Sequence, residues 1–253
     1  MIQTISTGYT PRPYQIEIHK SLKRFNVLSC HRRFGKTHLS INEIIDKGYK
    51  CAHPNPQYAY LAPNYGQAKR VAWDVVKQYT KNLPGVTYNE TELKCEFSRG
   101  SDRVRILLLG AENPDSLRGI YLDGVVLDEY ASMNATIWSE VIRPALLDRL
   151  GWAIFISTPK GLNNFYEVYQ AALKDANWYA ATFRASETGI IPISELEMAR
   201  ATMSESEYSQ EFECSWSAAL VGAYYGKEIE QAEKDGRITS VPFDPALGVH
   251  GLS

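Results

Sequence analysis

The chain has 253 residues, 44% hydrophobic and 22% charged, with a formal net charge of −2. This balance excludes whole-chain disorder; no apolar run approaches the ~18 residues of a membrane span, and Met1-Ile2-Gln3-Thr4 lacks the basic start and apolar core of a secretion signal. The charge is unevenly placed: residues 1–120 hold 18 Lys+Arg against 10 Asp+Glu, and residues 121–253 hold 9 against 19.

In chain order, residues 14–24 read as a helix. Asn26-Val27-Leu28-Ser29 is a short apolar strand running into Cys30-His31-Arg32-Arg33-Phe34-Gly35-Lys36-Thr37, with a helix at 36–47. Tyr58 to Ala62 reads as a buried strand and 66–81 as a helix. Strands are expected at 94–97 and 104–109. Gly124-Val125-Val126-Leu127 is a further strand ending in Asp128-Glu129. A helix at 136–149 leads to the strand 152–156, then Ser157-Thr158-Pro159, and another helix at 162–174. Continuous apolar strands alternating with helices predict an α/β fold with a mostly parallel sheet covered on both faces. Ligands of such sheets bind at the carboxyl ends of the strands. After about residue 185 the chain turns acidic and helical, with Ser194 and Glu197 at capping-box spacing. A small-residue segment follows at 217–226, and Pro242 and Pro245 favour an extended tail.

Two clusters carry chemistry. Gly35-Lys36-Thr37 fits the end of the phosphate-loop pattern, in which backbone N–H groups cradle phosphates and the lysine reaches the β and γ phosphates. Cys30 stands where the first glycine belongs. A strand before the loop and a helix after it would put the phosphate on a helix N-terminus. The second cluster is the apolar run ending in Asp128-Glu129. Asp128 with the Thr37 hydroxyl is the expected Mg²⁺ site, and Glu129 is the expected group to orient an attacking water. The basic first half suits a polyanion, nucleotide or nucleic acid, with two ordinary solvated faces as the alternative. The four cysteines contain no Cys-x-x-Cys pair, and the five histidines match no ligand pattern; a reducing, cytosolic setting fits.

His31 to Thr37 resembles the arginine-rich variant phosphate loop of tailed-bacteriophage terminase large subunits, the ATPase motors of viral DNA packaging. Leu127-Asp128-Glu129-Tyr130 is similar to their second acidic motif, and Ser157-Thr158-Pro159 to their coupling motif, which senses the γ-phosphate. Arg12-Pro13-Tyr14-Gln15 resembles the adenine-recognising segment and Leu117-Arg118-Gly119 the segment supplying an arginine finger. Tyr208 to Cys214 and Gly222 to Gly226 look like the stretch after the ATPase core.

The resemblance implies a P-loop NTPase of RecA-like (ASCE) type over 1–185, a lid-like helical subdomain over 186–235, and a linker over 236–253 toward an RNase H-like nuclease domain. Nuclease activity is expected only in a longer protein containing that domain. Lys36, Glu129 and Arg118 are the expected catalytic residues. Arg12, Tyr14, Gln15, Arg32, Arg33, Phe34, Gly35, Lys36 and Thr37 are expected at the nucleotide, and Ser157 and Thr158 in coupling. The substrate implied is ATP with Mg²⁺. The implied partners are double-stranded DNA, a homo-oligomeric ring on a portal protein and a small terminase subunit, with no membrane, in the host cytoplasm.

Several residues keep a second reading. At least one of Arg32 and Arg33 is expected on phosphate, a solvated basic turn being the other reading. Arg99, Arg103 and Arg105 are DNA-backbone candidates or plain strand charges. Arg118 is a finger acting in trans or a surface arginine held by a carboxylate such as Asp115 or Asp123. A helicase-like ATPase shares the glutamine segment and the Asp-Glu pair, but two-lobed helicases need a second sheet, and only 124 residues follow Glu129. A nucleotide-binding switch would not need a water-polarising Glu129.

Overall fold

The apolar runs take the centre of one mixed sheet. In this computed structural model, which describes residues 6–217, 231–232 and 235–237, the strands are β1 (Phe25–Cys30), β2 (Gln57–Ala62), β3 (Thr87–Asn89), β4 (Lys94–Arg99), β5 (Asp102–Gly110), β6 (Gly124–Asp128), β7 (Trp152–Ser157) and β8 (Trp178–Phe183). Their spatial order is β3-β4-β5-β2-β6-β7-β1-β8. The six strands from β5 to β8 are mutually parallel. β3, β4 and β5 pair antiparallel, a feature that the apolar runs do not reveal.

Every residue of β1 and β6 is buried, because both faces of the sheet are covered. Side chains alternate between two cores. Leu28, Cys30, Val126, Ile154 and Ile156 join one. Val27, Val125, Leu127, Ala153 and Phe155 join the other. The first core is closed by α1 (Pro13–Ser21), α2 (Lys36–Lys50) and a helical run of α3 (Tyr65–Ala68), a π-turn (Lys69–Trp73) and α4 (Asp74–Thr80). The second is closed by a π-helical segment (Ile137–Ile142) continuing into α5 (Arg143–Ala145), and by α6 (Asn164–Leu173).

Four expectations change in detail. The helix foreseen at 136–149 is irregular and ends early, because Pro144 has no N–H to continue the ladder. Strand β8 is not foreseen by the sequence; as the edge beside β1 it is only half-buried up to Thr182. After α7 (Ala185–Thr188), helix α8 (Ile193–Thr202) begins at Pro192, whose ring fixes the entry angle ahead of Ser194. The capping box forms instead at Ser204 and Glu207, opening α9 (Glu205–Glu211).

Met1–Ala219 is one compact unit and Leu220–Ser253 another. The first takes in α8 and α9 of the expected lid-like segment. Ala185 N donates to Phe212 O at 2.8 Å, and Cys214 Sγ to Phe183 O at 3.3 Å. Trp216 packs on Phe165, Tyr166 and Tyr169 of α6. The small-residue segment beyond Ser217 and the proline-containing tail lie outside the described residues.

Candidate active site

The loop between β1 and α2 is shaped from behind by α1. The Arg12 guanidinium donates to Arg33 O at 3.3 Å and Phe34 O at 3.0 Å. Gln15 Nε2 donates to Gly35 O at 3.3 Å, while its Oε1 accepts from Arg12 N at 2.9 Å and from Tyr9 Oη at 3.1 Å. Gly35 has φ +93°, and a Cβ there would lie 2.9 Å from Gln15 Nε2, so conformation and space both call for glycine. Phe34 is fully buried between the rings of His31 and Phe183. Cys30, in the place of the first glycine, is also buried, and burial pushes its thiol well above the usual range. The loop opens into the first turn of α2, whose N–H groups have no intrahelical partner and form an anion site.

Strand β7 lies between β1 and β6, so its end falls between the loop and the acidic pair. Lys36 Nζ donates to Thr158 Oγ1 at 3.1 Å and lies 3.6 Å from Glu129 Oε1. Thr158 Oγ1 donates in turn to Cys30 O at 3.2 Å. Ser157 Oγ donates to Thr158 O at 2.8 Å and lies 3.4 Å from Glu129 Oε2. Neither residue caps a helix, since α6 starts later with Asn163 as its cap.

The two acids differ in surroundings. Glu129 turns the chain at the strand end with φ +55°, a conformation uncommon outside glycine, and its side chain is 26% exposed. Asp128 is buried. Its carboxyl is pushed up to about 6, first by burial and then by the charge of Glu129, against the pull of Lys36. Its Oδ2 accepts from the Tyr60 hydroxyl, and its Oδ1 is buried with no partner. The Thr37 hydroxyl also reaches Tyr60. Tyr60 on β2 therefore joins Thr37 to Asp128. The sequence reading missed it, although a tyrosine in a buried strand must find a partner for its hydroxyl.

Residues 32–236 match the family described as "Terminase large subunit, T4likevirus-type, N-terminal". The chain belongs to this family. It is 35% identical over 178 residues to the terminase large subunit of Thermus virus P23-45, covering 64% of this chain and 36% of that protein. To the terminase large subunit of Escherichia phage T5 it is 29% identical over 221 residues, covering 83% of this chain and 49% of that protein. The chain thus spans between about a third and a half of these relatives. The large terminase ATPase domain of Thermus phage P74-26 superposes with a TM-score of 0.72 at 26% identity, covering 83% of this chain and 95% of that one. The large terminase of another thermophilic bacteriophage, solved in complex with ADP, shares the fold with a TM-score of 0.70 at 16% identity, covering 81% of this chain and 53% of that one.

The other expected site residues of this terminase domain fall into three groups. Arg33 is exposed with φ +63°, and its guanidinium has no acceptor among the described residues. Arg32 is turned away onto Glu211, 2.7 Å from Oε2, and its N–H donates to Glu211 O at 2.9 Å. Tyr14 donates to Glu187 O at 2.5 Å and packs edge-on to Phe183. Tyr14, Gln15 and the Phe34 side chain are thus engaged by protein, and for Phe34 burial rules out direct nucleotide contact in this conformation. Arg118 is 54% exposed after the 3₁₀ turn Pro114–Leu117, with Nε 2.8 Å from Asp115 Oδ1 and Nη2 3.6 Å from Glu140 Oε2.

The DNA-backbone reading of Arg99, Arg103 and Arg105 does not suit their placement. Arg99 is largely buried and donates to the carbonyls of Gly48, Cys51 and His53 and to Asp102. Arg103 donates to Gly85 O and Thr87 Oγ1, and Arg105 pairs with Glu96 at 2.8 Å. Arg103 and Arg105 brace the β3–β4–β5 edge, and Arg99 ties it to the link between α2 and β2.

Proposed function

We propose that this domain hydrolyses ATP and couples the reaction to moving double-stranded DNA into a procapsid. The observation that carries the reading is the convergence of Lys36, Thr158 and Glu129 at the mouth of a phosphate loop, beside a buried aspartate with one free oxygen. Lys36 and the N–H groups opening α2 hold the phosphates. Ser157 and Thr158, already in contact with Lys36 or Glu129, are placed to register whether a γ-phosphate is present. Glu129, partly exposed and flanked by Lys36, orients and polarises water.

The orphaned Oδ1 of Asp128 and the Thr37 hydroxyl, joined through Tyr60, fit a hard divalent cation. Asp128 and Thr37 would hold Mg²⁺, which neutralises phosphate charge when bound. Arg33, without an acceptor among the described residues, reaches toward the same anion. Arg118 acts on the nucleotide of a neighbouring subunit in a ring seated on a portal protein, with a small terminase subunit delivering DNA in the host cytoplasm. Its position on the domain surface supports a role between subunits. No helix among the described residues is long and apolar enough to cross a membrane.

A steady-state ATPase assay with and without long duplex DNA tests the reading. Wild type should turn over and be stimulated by DNA, and Lys36→Ala should be inactive. Wild-type-like hydrolysis by Lys36→Ala would remove this loop from the chemistry.

A further inference from the structure

At the opposite end of the parallel strands, three side chains of metal-ligand type converge. Cys51 follows α2, His53 lies in the link entering β2, and Asp123 directly precedes β6. Cys51 Sγ is 3.6 Å from Asp123 Oδ1 and 3.9 Å from His53 Nδ1, and the last two atoms are 2.7 Å apart. This arrangement is not a catalytic triad, since thiol and carboxylate both face the same imidazole nitrogen. With metal–sulfur near 2.3 Å and metal–nitrogen or –oxygen near 2.0 Å, the three edges subtend angles of roughly 80–130° at a common centre, within reach of a tetrahedral ion.

The geometry points to a binding site for a zinc-class divalent cation formed by Cys51, His53 and Asp123. Thiolate, imidazole and carboxylate together select a borderline-soft metal over Mg²⁺. The donors are held from outside, as ligands of a metal site need to be. Gln57 N donates to Asp123 Oδ2 at 2.9 Å, leaving Oδ1 for the ion. Arg99 grips the carbonyls of both Cys51 and His53, which gives its buried charge a purpose. The His53 side chain is 43% exposed, so the fourth position opens to water.

Arg149, with Nη1 3.7 Å from Asp123 Oδ1, is the cation now facing the carboxylate. Binding converts the Cys51 thiol to a metal-bound thiolate and releases one proton to solvent. His53 offers its Nδ1 lone pair and carries its proton on Nε2. Gain of the dication and loss of one proton take the cluster from −1 to neutral, so Arg149 gives up its pairing with Asp123 and keeps its bond to Pro54 O at 3.2 Å and its stack on Tyr121.

The test is a titration of the reduced full chain with Co²⁺ alone, followed by absorbance. We expect saturation at one equivalent, a near-ultraviolet sulfur-to-cobalt charge-transfer band, visible bands of a tetrahedral ion, and displacement of all of them by Zn²⁺. Cys51→Ala should abolish the charge-transfer band. His53→Gln, at an exposed position that leaves folding intact, should weaken binding by at least about tenfold. Asp128→Asn, which alters only the expected Mg²⁺ site, should leave the band unchanged. Absence of a sulfur band in wild type, or a band that survives Cys51→Ala, would overturn the site.

Discussion

Arg33 of the phosphate loop and the arginines of the β4–β5 hairpin are equally charged in sequence and opposite in circumstance. Arg33 projects from a left-handed turn with no acceptor among the described residues, while Arg99, Arg103 and Arg105 all have protein partners. The carboxylates repeat the contrast: Asp128 keeps a buried oxygen unpaired, whereas the buried Glu43 meets His19 at Oε2 and Lys47 at Oε1. Buried polar groups are normally satisfied, and one left wanting marks a place where a ligand belongs. Charge in the first half of the chain is thus two populations, one that builds the domain and one that waits for a partner.

The largest effect should come from the exposed arginine proposed to act between subunits. Arg118→Ala should retain ATP binding and lose turnover by ~10³–10⁵, the range of arginine fingers. Mixing it with Lys36→Ala should restore some activity in co-assembled rings, since each variant keeps what the other lacks. No recovery despite demonstrated co-assembly would exclude action in trans and leave Arg118 as a surface residue tied to Asp115.

Next is Glu129→Gln, which keeps shape and loses the carboxylate. Hydrolysis should fall by ~10²-fold or more with nucleotide affinity retained. Equal losses of affinity in Glu129→Gln and Asp128→Asn would collapse the distinction between water-orienting and metal-holding acids.

A third prediction concerns stability without nucleotide. The folded Asp128 carboxyl titrates at about 6, above its ordinary value of 3.8. The folded state thus binds this proton more tightly than the unfolded one, and the stability so gained is full below about pH 4 and lost as pH rises through about 6. Asp128→Asn should therefore be more stable than wild type by about 2–3 kcal/mol at pH 8, with the gap closing toward pH 4. A pH-independent difference in urea unfolding would refute the assigned cost of that charge.

Tyr60→Phe should raise the Mg²⁺ concentration needed for tight nucleotide binding by ~10-fold, the lower range for groups that orient metal ligands. Metal-free nucleotide binding should change little. A variant that is merely less stable, with the same Mg²⁺ dependence, would reduce Tyr60 to packing. The smallest effect belongs to Arg103→Gln, for which DNA stimulation of the ATPase should shift by less than about twofold, because that side chain already has partners. A large loss there would return the hairpin to the DNA-binding surface.

Strands that sit in the middle of the sheet were legible because burial on both faces demands unbroken apolar runs; β1, β6 and β7 announce themselves this way. Strands β4 and β5 were anticipated at 94–97 and 104–109, but their antiparallel pairing, the short β3 and the edge strand β8 were not, since half-buried strands signal weakly and direction depends on connections. Lys36 and Glu129 were found through local spacing and Thr158 through the resemblance of Ser157-Thr158-Pro159 to a coupling motif, and the structure brings the three together. Tyr60 was not, because its role depends on β2 lying beside β6. Gln15 was read through the resemblance of Arg12-Pro13-Tyr14-Gln15 to an adenine-recognising segment, and the structure engages its side chain with Tyr9, the Arg12 backbone and the loop at Gly35. Cys51, His53 and Asp123 escaped detection because 70 residues of chain separate His53 from Asp123.

The placement of β7 between β1 and β6 also sets a gauge. Neighbouring strands lie about 4.8 Å apart, so one intervening strand holds the root of the loop about 10 Å from the root of the acids. Lys36 covers most of that span, its Nζ 3.1 Å from Thr158 Oγ1 and 3.6 Å from Glu129 Oε1. Sliding β1 against β6 would move Lys36 relative to Glu129 and so change their 3.6 Å separation. The strand that spaces the site is thus also the element through which strain in the sheet reaches the reacting groups.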